Sequence, residues 1–358
     1  MRVLILFEQK WHVLSIMRCL ADVGVKCHAF GVGKCWDIQL SKYCHRYMAC
    51  PQKSYWRCSP EFIQKINEYC FKQKIDCLVP GDYASTLFLS KVRDRLNPEV
   101  KFVAVANTET LEILNHKWKF SQLLKTHNIP QPQTFLVENV EQLKSIPLSL
   151  PCAVKPLVGG GRWTGGRFPG SYIKKNQDEY LASAQQGFPL LVQEFISGSD
   201  VGLNIFAEQG RILAWTMQEF VGNERLRFFQ SSQLLELGER IVSSVNFQGL
   251  ANIDLRLDQR DGKYKVIECN PRFWGSLRAS KWTGVNFPVL AVNAALGKDV
   301  SGQIRHKDIE YVFPSRVLAK LFRGNVSALR GLPEATRRDL GQIISDPLSC
   351  LYSVFERR

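Results

Sequence analysis

The segment GLANIDLRLDQRDGKYKVIECNPRFWGS (249–276) concentrates the groups best suited to chemistry. Asp254 sits in an alternating pattern, DQRDGK supplies a hairpin turn, and the return strand carries Glu268 and Asn270. Side chains alternate across a strand, so Glu268 and Asn270 share a face. Antiparallel pairing through the turn places Asp254 roughly opposite Glu268. Facing carboxylates destabilise a hairpin unless a cation lies between them. A carboxylate pair with an amide carbonyl, leaving positions for phosphate oxygens, is a hard-oxygen donor set suited to Mg²⁺ or Mn²⁺. Arg272, two residues past Asn270, extends the same face and can balance developing negative charge. The competing reading is a surface hairpin whose carboxylates pair with Arg256 or Lys265. We take the metal reading as the stronger of the two.

Two further segments carry polar groups in suggestive order. In VKPLVGGGRWTGGRF (154–168) a glycine-rich turn lies between strands, with Lys155 before it and Arg162 and Arg167 within it. Such a turn lets backbone N–H groups approach phosphate oxygens closely. A flexible hairpin is the plain alternative, and the GxxxxGK[ST] phosphate loop is absent. In LLVQEFISGSDVGLNIFAE (190–208) an apolar strand runs into Glu194, Phe195 and Ile196, then a Ser-Gly turn and Asp200. Backbone exposed after a strand can read an adenine edge, and a carboxylate just beyond can accept ribose hydroxyls. An ordinary strand–turn–strand explains the same residues.

These groups need elements to hold them. The first hundred residues alternate strand and helix patterns: VLILF (3–7), a helix over 13–24, a strand over 25–33, a helix over 62–75, and strands at 77–81 and 101–107. That alternation predicts a doubly wound parallel sheet. Its first turn, FEQKWH, contains no glycine, which excludes a GxGxxG dinucleotide fingerprint there. From about residue 107 two helical stretches follow, stopped by Pro130 and Pro132. Residues 190–270 then alternate in strand fashion around a helix at 231–245. After Gly297 the chain turns basic, and no internal repeat is evident.

At 358 residues and 45% apolar composition, the chain is long enough for two or three lobes with a sizeable core. Its net charge of +14 favours anionic partners such as nucleotides or acidic metabolites. No nucleic-acid-binding motif accompanies that charge, so nucleic acid is not expected as a partner. The 11 cysteines include no CxxC pair and lie mostly in apolar segments, which predicts buried reduced thiols rather than disulfides or zinc ligands. The apolar run near the N-terminus is too short for a signal peptide, and no stretch reaches membrane-spanning length. The expectation is a cytoplasmic protein without a membrane span, with a homodimer as the default assembly.

Taken in order, Lys117 in NHKWKF, Lys155 before the glycine loop, QEFISGSD, Asp254 and the Glu268-x-Asn270-x-Arg272 strand resemble the ATP-grasp superfamily. The resemblance covers roughly residues 105–297. Within the superfamily it is nearest the carbamoyl-phosphate-synthetase and biotin-carboxylase-like branch. It implies an α/β and α+β architecture in three parts. These are an N-terminal α/β domain (1–105), an ATP-grasp domain (106–297; small lobe about 120–190, large lobe about 191–297) and a basic C-terminal extension (298–358). It implies that Lys117 and Lys155 hold ATP phosphates under a loop at Gly159, Gly160 and Gly161. Glu194, Phe195 and Ile196 would contact adenine, and Asp200 the ribose. Asp254, Glu268 and Asn270 would carry Mg²⁺, and Arg272 would steady an acyl phosphate. The implied activity is an ATP-dependent ligase joining a small-molecule carboxylate to an amine. A bicarbonate-activating enzyme and a non-catalytic nucleotide-binding module are the rivals. Two departures from the family pattern stand out: the glycine loop is longer and more basic than usual, and Asp254 replaces a glutamate.

Overall fold

The computed structural model describes residues 1–51, 58–158, 173–222, 224–300 and 306–349. Five strands form the first sheet: β1 (Arg2–Phe7), β2 (Lys26–Val32), β3 (Cys44–Cys50), β4 (Cys77–Pro80) and β5 (Lys101–Phe102). All pairings are parallel, in the order β3-β2-β1-β4-β5. Parallel strands covered on both faces read as unbroken apolar runs, and β1 shows why. Val3, Ile5 and Phe7 enter the core shared with helices Val13–Ala21 and Phe287–Ala295. Leu4 and Leu6 enter the opposite core, with helices Pro60–Gln73 and Tyr83–Val92.

The strand expected over 101–107 ends after Phe102. Beyond Val103 the chain leaves the sheet edge, and other groups satisfy its carbonyls. Arg93 donates to the carbonyls of Val105 and Ala106, and the Gln248 amide also donates to Val105. Buried backbone polar groups need such partners, so an apolar stretch can be buried without being a strand.

A four-stranded antiparallel sheet follows, built from β6 (Thr134–Val137), β7 (Cys152–Pro156), β8 (Ile173–Lys174) and β9 (Leu190–Glu194), in the order β6-β9-β7-β8. The third sheet is also antiparallel. It contains β10 (Gly198–Glu208), β11 (Arg211–Val221), β12 (Arg225–Phe229), β13 (Gly249–Asp258), β14 (Tyr264–Asn270) and β15 (Glu310–Val312). Its order is β14-β13-β10-β11-β12-β15. The two faces of this sheet differ sharply. Val201, Leu203, Ile205, Met217, Ile253 and Leu255 pack against helices Thr108–Asn115, Lys117–Thr126 and Ser232–Ser244. The other face carries Asn204, Thr216, Gln218 and Asn252, all buried. They satisfy one another: Asn252 Nδ2 donates to Asn204 Oδ1 at 3.1 Å, and Asn204 Nδ2 to Thr216 Oγ1 at 3.1 Å. Ser276 Oγ closes the chain on Gln218 Oε1 at 2.7 Å.

The residues after 305 are built into this body. β15 pairs with β12, and the buried Tyr311 hydroxyl donates to Asp339. Asp346 accepts from Arg18 Nη2 (3.1 Å), Ser41 Oγ (2.7 Å) and Lys42 N (2.9 Å), all from the segments around the parallel sheet. The ten described cysteines are all free thiols. No helix among the described residues is long and apolar enough to cross a membrane.

Candidate active site

The β13–β14 register sets Asp254 directly across from Glu268, and Asn252 across from Asn270. A shift in that register falls between Asp254 and Leu255, where Leu255 pairs with Val266 and Ile267 is left over. This bulge has a consequence for the side chains. Strict alternation would put Val266 on the face of Glu268. With the extra residue, Val266 joins the apolar core beside Cys269, and Glu268 and Asn270 both face Asp254. Bulges of this kind re-aim side chains next to functional sites.

Asn270 Nδ2 donates to Asp254 Oδ2 at 3.1 Å and to Glu268 Oε1 at 3.5 Å, while Lys117 Nζ lies 3.4 Å from Glu268 Oε2. The alternative partners are engaged elsewhere: Arg256 holds Asp200 at 2.5 Å, and Lys265 holds Asp261 at 2.9 Å. Burial, then the charge of Glu268, pushes the Asp254 carboxyl up to about 8. Burial acts on Glu268 in the same direction, but Lys117 and Lys155 outweigh it and hold that carboxyl low. Such a pair is relieved by a cation. Among the described residues no three His, Cys, Asp or Glu side chains converge. The donors facing one another are therefore two carboxylates, and Asn270, whose Nδ2 is turned toward them, adds its amide oxygen only when the amide turns over; further positions of a six-coordinate hard cation are left to other oxygens. The residues fit Mg²⁺.

The lysines reach this pair from the other sheet and its flanking helix. Lys117 opens the helix Lys117–Thr126, whose cap is the His116 ring accepting from Lys119 N, and its own N–H donates to Leu157 O at 2.9 Å. Lys155 is buried on β7, with Nζ donating to Gln193 Oε1 at 3.0 Å; Gln193 Nε2 in turn donates to Thr134 Oγ1. Burial lowers the Lys155 ammonium to about 8, against the pull of Glu268. Gly159, Gly160 and Gly161 lie outside the described residues.

Glu194, Phe195 and Ile196 form the crossing from β9 to β10. Among the described residues the N–H and C=O of Phe195 and Ile196 make no backbone hydrogen bond. Ile196 is buried, the Arg256 guanidinium lies over the Phe195 ring at 5.3 Å, and Glu194 pairs with Arg260 at 2.6 Å. Asp200 faces the same region, and burial raises its carboxyl despite Arg256. Neither arginine partner is marked by its local sequence, because each pairs across about sixty residues.

The strand expected to run through Arg272 ends at Asn270; Arg272 lies two residues beyond it, and its side chain bends back onto Asn270. Nη2 donates to Asn270 Oδ1 at 3.1 Å and Nη1 to Phe273 O at 2.8 Å. Nη1 also lies 3.3 Å from His12 Nε2, in the connection between β1 and helix Val13–Ala21. Burial lowers the guanidinium from its ordinary range, while Asp254, Glu268 and Asp82 pull it back up. His12 is the residue sequence reasoning missed. FEQKWH is a glycine-free turn, and nothing local marks a histidine that meets residue 272.

The model of the family described as "ATP-grasp in the biosynthetic pathway with Ter operon" matches residues 187–314, which include the β9–β10 crossing, both carboxylates, Asn270 and Arg272. The chain carries an ATP-grasp domain. The carbamoyl phosphate synthase large chain of Thermoanaerobacter pseudethanolicus is 29% identical over 214 residues, which is 53% of this chain and 19% of that protein. The chain thus spans about a fifth of the length of that relative. Two solved structures share the fold at low identity. The biotin carboxylase domain of Hydrogenobacter thermophilus 2-oxoglutarate carboxylase, in complex with MgADP, ADP and bicarbonate, has a TM-score of 0.65 at 15% identity (87% of this chain, 74% of that one). The L-amino acid ligase of Bacillus licheniformis has a TM-score of 0.64 at 18% identity (87% and 79%).

Proposed function

We propose that the protein is an ATP- and Mg²⁺-dependent ligase that activates a carboxylate as an acyl phosphate and joins it to an amine. The observation that carries this reading is the meeting of Asp254, Glu268 and Asn270 with Lys117 and Lys155, and with Arg272 just past the end of the same strand. Buried carboxylates and lysines brought together in this way suit phosphoryl transfer by positioning and charge.

Lys117 and Lys155 would bind the ATP phosphates, Phe195 and Ile196 would offer backbone groups to adenine, and Asp200 would accept the ribose hydroxyls. Glu194, held by Arg260, fixes the end of β9 before that crossing. Asp254, Glu268 and Asn270 would hold Mg²⁺, which supplies charge neutralisation on the phosphate oxygens. A carboxylate oxygen attacks the γ-phosphorus and ADP leaves with the bonding pair. The amine then attacks the acyl carbon and loses a proton, and inorganic phosphate departs with the C–O electrons. Arg272 would meet the carboxyl end of that substrate and stabilise the negative charge of both steps.

Bicarbonate as the activated group is the second reading, favoured by the likeness to carbamoyl phosphate synthase. ADP and phosphate release over a panel of carboxylates and bicarbonate, each with and without amines, separates the two. The ligase reading predicts stimulation by one carboxylate with an amine. Stimulation by bicarbonate alone supports the second reading, and ATP binding without stimulation by any mixture contradicts both.

A further inference from the structure

His12 is separated by 260 residues from Arg272 and belongs to another sheet's connection, yet the two side chains meet at 3.3 Å. Arginine has only donors, so His12 Nε2 must accept, which fixes a neutral ring with its proton on Nδ1. Burial, then the Arg272 charge, holds the imidazole at about 3, so the ring stays neutral at ordinary pH. The loop that presents it is anchored. Asp82 Oδ2 accepts from Glu8 N (2.8 Å) and Gln9 N (2.5 Å), and Asp82 is itself locked as the cap of helix Tyr83–Val92 by Ser85. On its other side Lys10 pairs with Asp37 at 3.3 Å. β1 and β4 are adjacent, so their carboxyl ends deliver this loop to the segment just after β14 that bears Arg272.

The five N–H donors of a guanidinium point in fixed directions. Here Nη1 serves His12 and Phe273 O, and one hydrogen of Nη2 serves Asn270. Donors remain on Nε and Nη2, the neighbouring pair that matches two oxygens of one carboxyl or phosphoryl group.

We propose that His12 is a positioning residue for Arg272: by occupying Nη1 it turns the Nε/Nη2 edge of the guanidinium toward the activated carboxyl. The kinetic part of this proposal rests on the ligase reading; the geometric part does not.

The test compares wild type with His12→Ala and His12→Gln, because the glutamine amide oxygen can reach the position of Nε2. In crystal structures of the three proteins, Arg272 should leave the Nη1 contact in His12→Ala and keep it in His12→Gln. In the ADP-release assay with the stimulating carboxylate, His12→Ala should lose about 10- to 100-fold in kcat/KM for the carboxylate. His12→Gln should recover most of that loss, and the Kd for MgATP should stay within about twofold in both variants. Arg272 unmoved in the His12→Ala structure overturns the proposal, whatever the assay gives. So does a loss that His12→Gln leaves unrescued while the fold is intact. If wild type shows no carboxylate-stimulated turnover, the ligase reading fails and the crystal structures alone decide the role of His12.

Discussion

Asp254 and Glu268 oppose one another on neighbouring strands, and the site is built at the expense of stability. An aspartate forced toward the neutral form by burial and a facing carboxylate is a local cost that a bound cation removes. Asp254→Asn should therefore raise the thermal midpoint without Mg²⁺, by roughly 2 °C or more, while abolishing turnover. Adding Mg²⁺ should stabilise wild type and leave the variant unchanged; equal shifts in calorimetry would contradict this role for Asp254. Glu268→Gln should likewise remove Mg²⁺-dependent turnover, read by ADP release, with the circular dichroism spectrum intact. Wild-type activity in that variant would refute the metal assignment. The opposition of these carboxylates was legible because the DQRDGK turn fixes a short-range register. The partners Arg256, Arg260 and His12 were not, since each is brought in from a distant stretch whose residue types carry no sign of it.

At the scale of elements, the crossing from β9 to β10 turns on Gly198. Its φ is +144°, and a Cβ there would come within 1.8 Å of the Leu257 carbonyl oxygen. Gly198→Ala must part the start of the β10–β13 ladder, where Gly198 also accepts from Arg256, the partner of Asp200. Urea denaturation should report a loss of about 2 to 4 kcal/mol, with weaker ATP binding; unchanged stability would mean the crossing can take another path. The parallel sheet carries its own pH dependence through His28 on β2, a buried ring whose Nδ1 meets Tyr69 Oη at 2.9 Å. Burial, then His45, Arg46 and Arg2, lowers it from 6.5 to about 4. Between those values the unfolded chain binds a proton that the native protein does not. The contribution of His28 is thus complete above about pH 6.5 and lost as pH falls, with a ceiling of about 1.4 kcal/mol per pH unit. His28→Gln should flatten the fall in urea midpoint between pH 7 and 5; an unaltered slope would contradict it. Alternation of strand and helix was readable from apolar runs. The early end of β5 and the bulge at Ile267 were not, because apolar residues can be buried outside a ladder and an extra residue leaves composition unchanged.

Across the whole molecule, the residues after 305 extend one sheet and anchor to Arg18, Ser41 and Lys42 around another, which their basic composition did not foretell. Asp346 is buried on Arg18, Ser41 and Lys42, so Asp346→Ala would strand a buried guanidinium. The expected loss is about 3 to 5 kcal/mol in chemical denaturation; a loss below about 1 kcal/mol would show that the C-terminal segment is dispensable to the fold. The three sheets together bring Lys155 from one, the carboxylates from another and His12 from the third to one place, and that convergence is what the proposed chemistry requires. The measurement that tests it most directly is oxygen transfer. With the stimulating carboxylate labelled in both oxygens with ¹⁸O, an acyl phosphate predicts one labelled oxygen in each inorganic phosphate released, and none from Glu268→Gln. Phosphate from wild type that carries no label from the carboxylate would contradict carboxylate activation at this site.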